Sequence, residues 1–226
     1  MKISIVTLFP EMFEGPFNHS IIKRAKENKL LDINFINIRD FGIGKHKLVD
    51  DTPYGGGKGM VLRVDVLEKA IKKAKINKLK QKIILLSAHG QNFNQKKAKE
   101  FSKLDNLILV CGHYEGFDER IKNYIDEEVS MGDFIVTGGE IPAMLIADSV
   151  ARLVKGVIKD ESSANESFSS LLLEYPHYTK PSTYKNNDVP LILLSGNHQE
   201  IEKWRKEQSL TITKKLRPDL IKTERN

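Results

Sequence analysis

Cysteine is almost missing from this sequence: Cys111 is the one thiol in 226 residues. A lone cysteine excludes an internal disulfide framework and a multi-cysteine zinc site. Leu-Ile-Leu-Val precedes it, which makes Cys111 a core residue rather than a nucleophile. The six histidines are scattered without metal-ligand spacing, so no metal site is expected. No apolar run approaches the ~18 residues of a membrane span. Met1 to Leu8 is one strand's worth of apolar sequence, too short for a signal h-region and without a cleavage site. The protein is therefore expected in the cytoplasm, with no membrane partner. Two phosphate-binding signatures are missing as well. The run Gly55 to Gly59 lacks the Gly-Lys-Ser/Thr ending of a phosphate loop, because Lys58 is followed by Gly59 and Met60. No Gly-x-Gly-x-x-Gly follows a strand, so the dinucleotide fingerprint is absent. The glycine-rich loop reads instead as a mobile segment that closes over a substrate.

Charge is what the chain has in quantity. Charged residues supply 29% and apolar ones 40%, the balance of a soluble globular protein. The length suffices for one cored domain and a smaller second one. A net charge of +6 favours a polyanionic partner such as nucleic acid without requiring one. Ile3, Ile5, Val6 and Leu8 form a first strand closed by Pro10. Ser20 is placed to cap a short basic helix. Residues 31–38 read as a second strand, and residues 64–75 as a helix with Val64, Leu67, Ile71 and Ala74 near one face. Residues 83–86 form a buried strand, 94–104 a helix and 107–111 another strand. This alternation predicts an α/β fold, a mainly parallel sheet with helices on both faces. Residues 160–170 are polar and serine-rich, which predicts a linker and a domain boundary at 160–172. A helix over 199–208 and a basic, helical tail from Lys214 follow.

The chain is organised around residues 107–155. The strand 107–111 breaks at Gly112 into a loop carrying His113, Tyr114, Glu115 and Asp118. A short acidic helix follows. Then Phe134 to Val136, apolar, leads into Gly138-Gly139 and a helix opened near Pro142. Two glycine-punctuated strand ends predict one pocket built from consecutive loops. On the last helix Asp148 and Arg152 stand four apart, either an ordinary ion pair or an arginine turned to the pocket. His113 and His177 sit among polar loop residues, structural or catalytic. Tyr54, Tyr175, Tyr178 and Trp204 lie in basic or flexible segments, suited to stacking on an unpaired base or to packing. Periodicity and spacing point no further than a basic α/β protein with one polar pocket and a candidate RNA surface.

Several segments, in order along the chain, resemble the bacterial tRNA (guanine-N1) methyltransferases of the knotted SPOUT class. They are Leu8-Phe9-Pro10-Glu11-Met12-Phe13, Asp51-Thr52-Pro53-Tyr54-Gly55-Gly56-Gly57, and the run from Gly112 to Arg120. Gly132-Asp133, Gly138-Gly139-Glu140-Ile141-Pro142-Ala143, Pro176-His177-Tyr178-Thr179 and Ser195-Gly196-Asn197-His198 with Trp204-Arg205 complete the set. Each is weak alone; together they are specific. The resemblance implies a deep trefoil knot in a domain over 1–159, a flexible linker over 160–172, and a small helical tRNA-binding domain over 173–226. It implies S-adenosylmethionine bent in the knot by three loops. Leu86, Ser87 and Gly90 come from the first, and Gly112, Tyr114, Glu115 and Gly116 from the second. The third loop supplies Ser130, Met131, Gly132, Asp133, Phe134, Ile135, Val136, Gly138, Gly139 and Pro142.

Asp51, Tyr54, His177, Ser195, Asn197 and His198 are the implied substrate contacts. The implied substrate is tRNA with guanosine at position 37, and the implied assembly is a homodimer whose active sites are shared. Magnesium is implied for activity, without a dedicated protein site. Guanine N1 carries a proton, so a carboxylate must remove it while a cation stabilises charge on O6. By the resemblance the base is Glu166, where the family has aspartate, and the cation is Arg152. Further departures are Ala88 and His89 in the first cofactor loop, His113 for arginine, and Glu174 for aspartate. A knotted methyltransferase for another RNA position, and a non-catalytic RNA-binding protein of the same fold, are the rival readings.

Overall fold

Parallel strands need long crossovers, and the spacing of apolar runs along this chain provides them. In a computed structural model, described over residues 1–158, 166–168 and 172–222, five strands form the central sheet. They are β1 (Lys2–Thr7), β2 (Asp32–Asn37), β5 (Gln81–Asn92), β6 (Asn106–Val110) and β7 (Glu127–Ser130). Their order is β2-β1-β6-β5-β7, and each pairing is parallel. A two-residue hairpin, β3 (Asp50–Asp51) with β4 (Val61–Leu62), brackets the glycine-rich loop. Helices α1 (Glu14–Phe17), α2 (Ser20–Glu27), α3 (Val64–Ala74), α4 (Gln95–Phe101) and α5 (Glu140–Ala151) supply the crossovers and covers.

The strand period of two divides the core into two layers. Ile3, Ile5, Ile84, Leu107, Leu109 and Cys111 face one way, against Phe13, Phe17, Phe101, Ala143, Ile146 and Val150. Val6, Ile83, Leu85, Ile108 and Val110 face the other, against Val66, Leu67, Ala70 and Ile71 of α3. Burial on both faces explains why β6 is an unbroken apolar run rather than an alternating one. Two buried polar side chains pair within the core: Ser4 donates to Asn106 Oδ1 at 3.0 Å, and Asn106 Nδ2 donates to the Ala74 carbonyl at 3.1 Å. Phe101 is fully buried, so Phe101→Ala is expected to cost about 3–5 kcal/mol of unfolding free energy. A lowered urea midpoint with an unchanged slope checks this.

Four local expectations change. Ser20 does not cap α2; His19 holds the N-cap position without a side-chain bond, and Ser20 starts the helix at φ 51°. The strand expected over 83–86 runs on to Asn92, with a register shift against β7 between Leu86 and Gln91. The acidic helix is a 3₁₀ turn, Glu119–Tyr124, capped by Asp118 and anchored by buried Ile121. Glu127 belongs to β7, where its carboxylate meets Lys97 and Lys82. Residues 134–136 are exposed rather than a strand. Gly132, at φ 141°, ends the extended backbone just after Ser130.

The chain divides into two compact units, 1–158 and 159–226. Of the expected linker, residues 166–168 and 172 are described; the remainder lies outside the described residues. The second unit contains a short hairpin, β8 (Thr183–Tyr184) with β9 (Asn187–Asp188), turned by Lys185 and Asn186 at positive φ. Helices α6 (Leu191–Leu194), α7 (His198–Leu216) and α8 (Pro218–Lys222) follow. The helix expected over 199–208 is thus twice as long, because nothing breaks it before Pro218. Among the described residues, no helix is long and apolar enough to cross a membrane.

Candidate active site

The strands β5, β6 and β7 lie side by side, and the loops leaving their carboxyl ends enclose a cleft of about 310 Å³. Open parallel sheets place ligands at this edge. Leu86 and Ser87 line it from the first loop, with Ala88 and His89. Gly112, Tyr114, Glu115 and Gly116 line it from the second, with His113. Ser130, Met131, Phe134, Ile135, Val136, Gly138, Gly139 and Pro142 line it from the third. Gly90, Gly132 and Asp133 lie outside the lining. Gly90 serves packing instead: a Cβ there would sit 2.6 Å from the Val129 carbonyl carbon.

Backbone contact fixes two of these loops against each other. The Gly139 N–H donates to the Gly112 carbonyl at 2.7 Å. A Cβ on Gly139 would lie 2.6 Å from both Cys111 Cα and Gly112 N, so only glycine permits that approach. The glycine-rich segment is tied to the same place. Glu115 N donates to the Met60 carbonyl, Leu62 N to Gly116, and Asp118 N to Leu62, at 2.9–3.0 Å. The loop over 53–59 therefore leaves the cleft wall directly, and Tyr54 on it is 99% exposed. Asp51 accepts from Arg63 at 2.9 Å and from Thr52 N at 2.8 Å.

Phe117, Asp118, Glu119, Ile121, Lys122 and Glu128 also line the cleft. Sequence reasoning marks only Asp118 of these; Phe117 shares its loop, and the other four come from the 3₁₀ turn and β7, whose place beside the cleft depends on strand order. Two cations meet these three carboxylates. Arg120 forks onto Asp118 at 2.9 and 2.6 Å, which holds the Asp118 carboxyl below the usual range. Lys122 bridges Glu119 at 2.7 Å and Glu128 at 3.1 Å, and the bond to Glu119 leads in holding its ammonium above the ordinary lysine value. The Cys111 thiol is pushed far up, first by burial and then by the Glu140 charge. A thiol kept protonated is no nucleophile, in line with its place in the core.

Arg152 does not line the cleft. It caps the carboxyl end of α5, and ten residues of helix beyond Pro142 rise about 15 Å. In the second unit, residues 166–168 form a tight stub. Glu174 N donates to Ser167 Oγ at 2.9 Å, and Phe168 N to the Leu172 carbonyl at 3.0 Å. Phe168 sits at φ 68°, a costly backbone for a bulky residue. His177 Nε2 lies 2.8 Å from Glu174 Oε1. Its ring is 4.9 Å from Tyr175, over which the Arg205 guanidinium stacks. Tyr178 packs near Trp204 at 6.4 Å. Asn197 caps α7 by accepting from Glu200 N, Ser195 Oγ accepts from Asn197 N, and His198 begins the helix, exposed. These aromatics therefore pack in two pairs, Tyr175 with His177 and Tyr178 with Trp204.

Fold and cleft define an α/β protein with a cleft of small-molecule size at the carboxyl ends of parallel strands, followed by a small second unit. The chain belongs to the tRNA (Guanine-1)-methyltransferase TrmD family, whose model matches residues 1–223; the family is of the knotted SPOUT class. It is 56% identical over 223 residues to the tRNA (guanine-N(1)-)-methyltransferase of Clostridium botulinum (strain Eklund 17B / Type B), covering 98% of this chain and 93% of the relative. It is 56% identical over 224 residues to the like-named protein of Carboxydothermus hydrogenoformans, covering 98% and 88%. Against that of Desulforamulus reducens it is 52% identical over 226 residues, covering 98% and 89%.

Proposed function

We propose that the protein transfers a methyl group from S-adenosylmethionine to N1 of guanosine 37 in tRNA. The observation that carries this is the cleft: the three loops that the resemblance assigns to the cofactor converge at one edge of the sheet. Its volume is that of a small-molecule site. Its apolar members, Leu86, Met131, Ile135 and Val136, suit an adenosine, and its carboxylates suit a ligand with a positive centre. When bound, S-adenosylmethionine would supply the methyl group from its sulfonium to N1 and leave as S-adenosylhomocysteine.

The chain's own part is acid–base and electrostatic work. Glu166 takes the N1 proton, so that the nitrogen pair is free to attack. Charge that spreads to O6 is met by the Arg152 guanidinium, which stays positive at any working pH. Along one chain Arg152 stands away from the cleft, which supports a homodimer in which Arg152 and Glu166 of one copy serve the cleft of the other. Exposed Phe134, Ile135, Ile141 and Leu145 beside the cleft are the apolar surface such an interface needs. Asp51, Tyr54, His177, Ser195, Asn197 and His198 are assigned to tRNA, with Arg205 and Trp204 beside them. Such an enzyme works in the cytoplasm, where tRNA is modified. Magnesium enters from the resemblance alone. Among the described residues no group of three His, Cys, Asp or Glu is arranged to hold a metal ion, and no step is assigned to one.

Labelled S-adenosylmethionine and two tRNA transcripts test the proposal. With guanosine at 36 and 37, label is expected, recovered as 1-methylguanosine; with adenosine at 37, none. Equal labelling of both would discard the position. Absence of label with cofactor bound would favour an RNA-binding protein of the same fold.

A further inference from the structure

Glu140 opens α5 just beneath the cleft and is 2% exposed. The Thr7 hydroxyl donates to its Oε1 at 2.8 Å. Its Oε2 lies 3.8 Å from His113 Nδ1, a nitrogen that is buried and makes no hydrogen bond among the described residues. That separation exceeds a charge-assisted hydrogen bond by roughly one ångström. The cofactor loop passes directly over the pair: a Cβ on Gly138 would sit 2.5 Å from Glu140 Oε2 and 2.8 Å from His113 Nδ1. An unpaired His113 Nδ1 therefore faces the Thr7-bonded Glu140 carboxylate under the joint between residues 112–116 and 138–139.

The groups around His113 are few. Glu140 faces it from α5, and Cys111, its thiol kept protonated, stands two residues away at the end of β6. The Tyr114 ring meets it edge-on at 5.2 Å, and Phe9 covers it at 4.9 Å. Glu115 is turned away toward Gly59. Glu140 is thus the nearby carboxylate to which Nδ1 is directed.

We propose that His113 and Glu140 are a positioning pair: the charged imidazole closes Nδ1–H onto Glu140 and seats both cofactor loops. Histidine is the side chain whose charge ordinarily changes between pH 5 and 8. A charged ring makes this bond charge-assisted and the joint tightest, whereas a neutral ring offers only the weaker neutral bond. Cofactor affinity therefore falls with rising pH in this chain, whereas an arginine at 113 would hold the joint at every pH. The inference rests on the cofactor reading above.

Calorimetric titration with S-adenosylhomocysteine from about pH 5.5 to 8.5 tests it. The unaltered protein is expected to lose affinity roughly fivefold across that range. His113→Arg should bind tightly throughout, and His113→Gln weakly throughout, with melting temperatures separating loss of fold from loss of positioning. Should His113→Gln fail to fold, the profiles of the unaltered protein and His113→Arg decide alone. A flat profile in the unaltered protein, or the same slope in His113→Arg, overturns the pair while leaving the cofactor. No binding at any pH removes both the pair and the cofactor reading.

Discussion

Glu166→Gln is expected to bind S-adenosylhomocysteine normally and to lose methyl transfer by about 10²–10⁴-fold, the range of a lost general base. Glutamine keeps the length and hydrogen-bonding shape of glutamate and has no basic oxygen, so it cannot take the proton from N1. The cleft is lined from within residues 85–142, so nothing that holds cofactor changes. The stub that carries Glu166 is fixed by Ser167, Phe168 and Leu172 through bonds that do not involve the carboxylate. A melting temperature measured alongside separates loss of the base from loss of fold. Glu166→Asp shortens the side chain by one methylene, restores the residue usual in the family, and is expected to retain activity. Single-turnover rates with saturating cofactor check both variants, and calorimetry with S-adenosylhomocysteine checks the binding. Full activity in Glu166→Gln would remove the general-base assignment and leave the fold assignment standing.

Gly139→Ala acts on the other half of the reaction, and its loss should appear in binding. The added methyl would meet backbone, Cys111 Cα and Gly112 N, both at 2.6 Å, so no side chain can turn aside to admit it. Relief requires the 138–139 loop to lift from β6, which breaks the Gly139 to Gly112 hydrogen bond. Overpacking of this kind costs about 1–3 kcal/mol, and each 1.4 kcal/mol is tenfold in affinity. S-adenosylhomocysteine is expected to bind roughly five- to 150-fold more weakly, with tRNA binding unaltered. Gly15→Ala is the control. It lies in α1 with nothing within 4 Å of the new methyl and at a φ that alanine adopts, so it should leave affinity unchanged. Equal affinity in Gly139→Ala and the unaltered protein would mean that the two loops are not joined during binding.

Much of this molecule follows from local pattern. The unbroken apolar run at 107–110 dictates a strand buried on both faces, and Val64, Leu67, Ile71 and Ala74 dictate the face of α3 that meets it. Gly112 and the Gly138-Gly139 pair mark the places where a side chain would block another segment, and the cleft stands at both. The limits are local too. Apolar Phe134, Ile135 and Val136 read as a strand end, yet they are exposed, because Gly132 has already turned the chain. Residues 87–90 read as a loop, yet β5 carries on through a register shift, because β7 stands ready to pair with Gln91 and Asn92.

The sequence by itself determined the α/β class, the glycine-lined loops and, through resemblance, the family, since these depend on short-range periodicity and on runs of named residues. The tertiary structure alone decided which charges meet. Lys122 lies between Glu119 and Glu128, Arg120 on Asp118, and buried Glu140 against Thr7 and His113, from segments as far apart as residues 7 and 140. Electrostatic partnership depends on a few ångströms of distance and on burial, and neither is set until strand order brings the ends of β1, β5, β6 and β7 together.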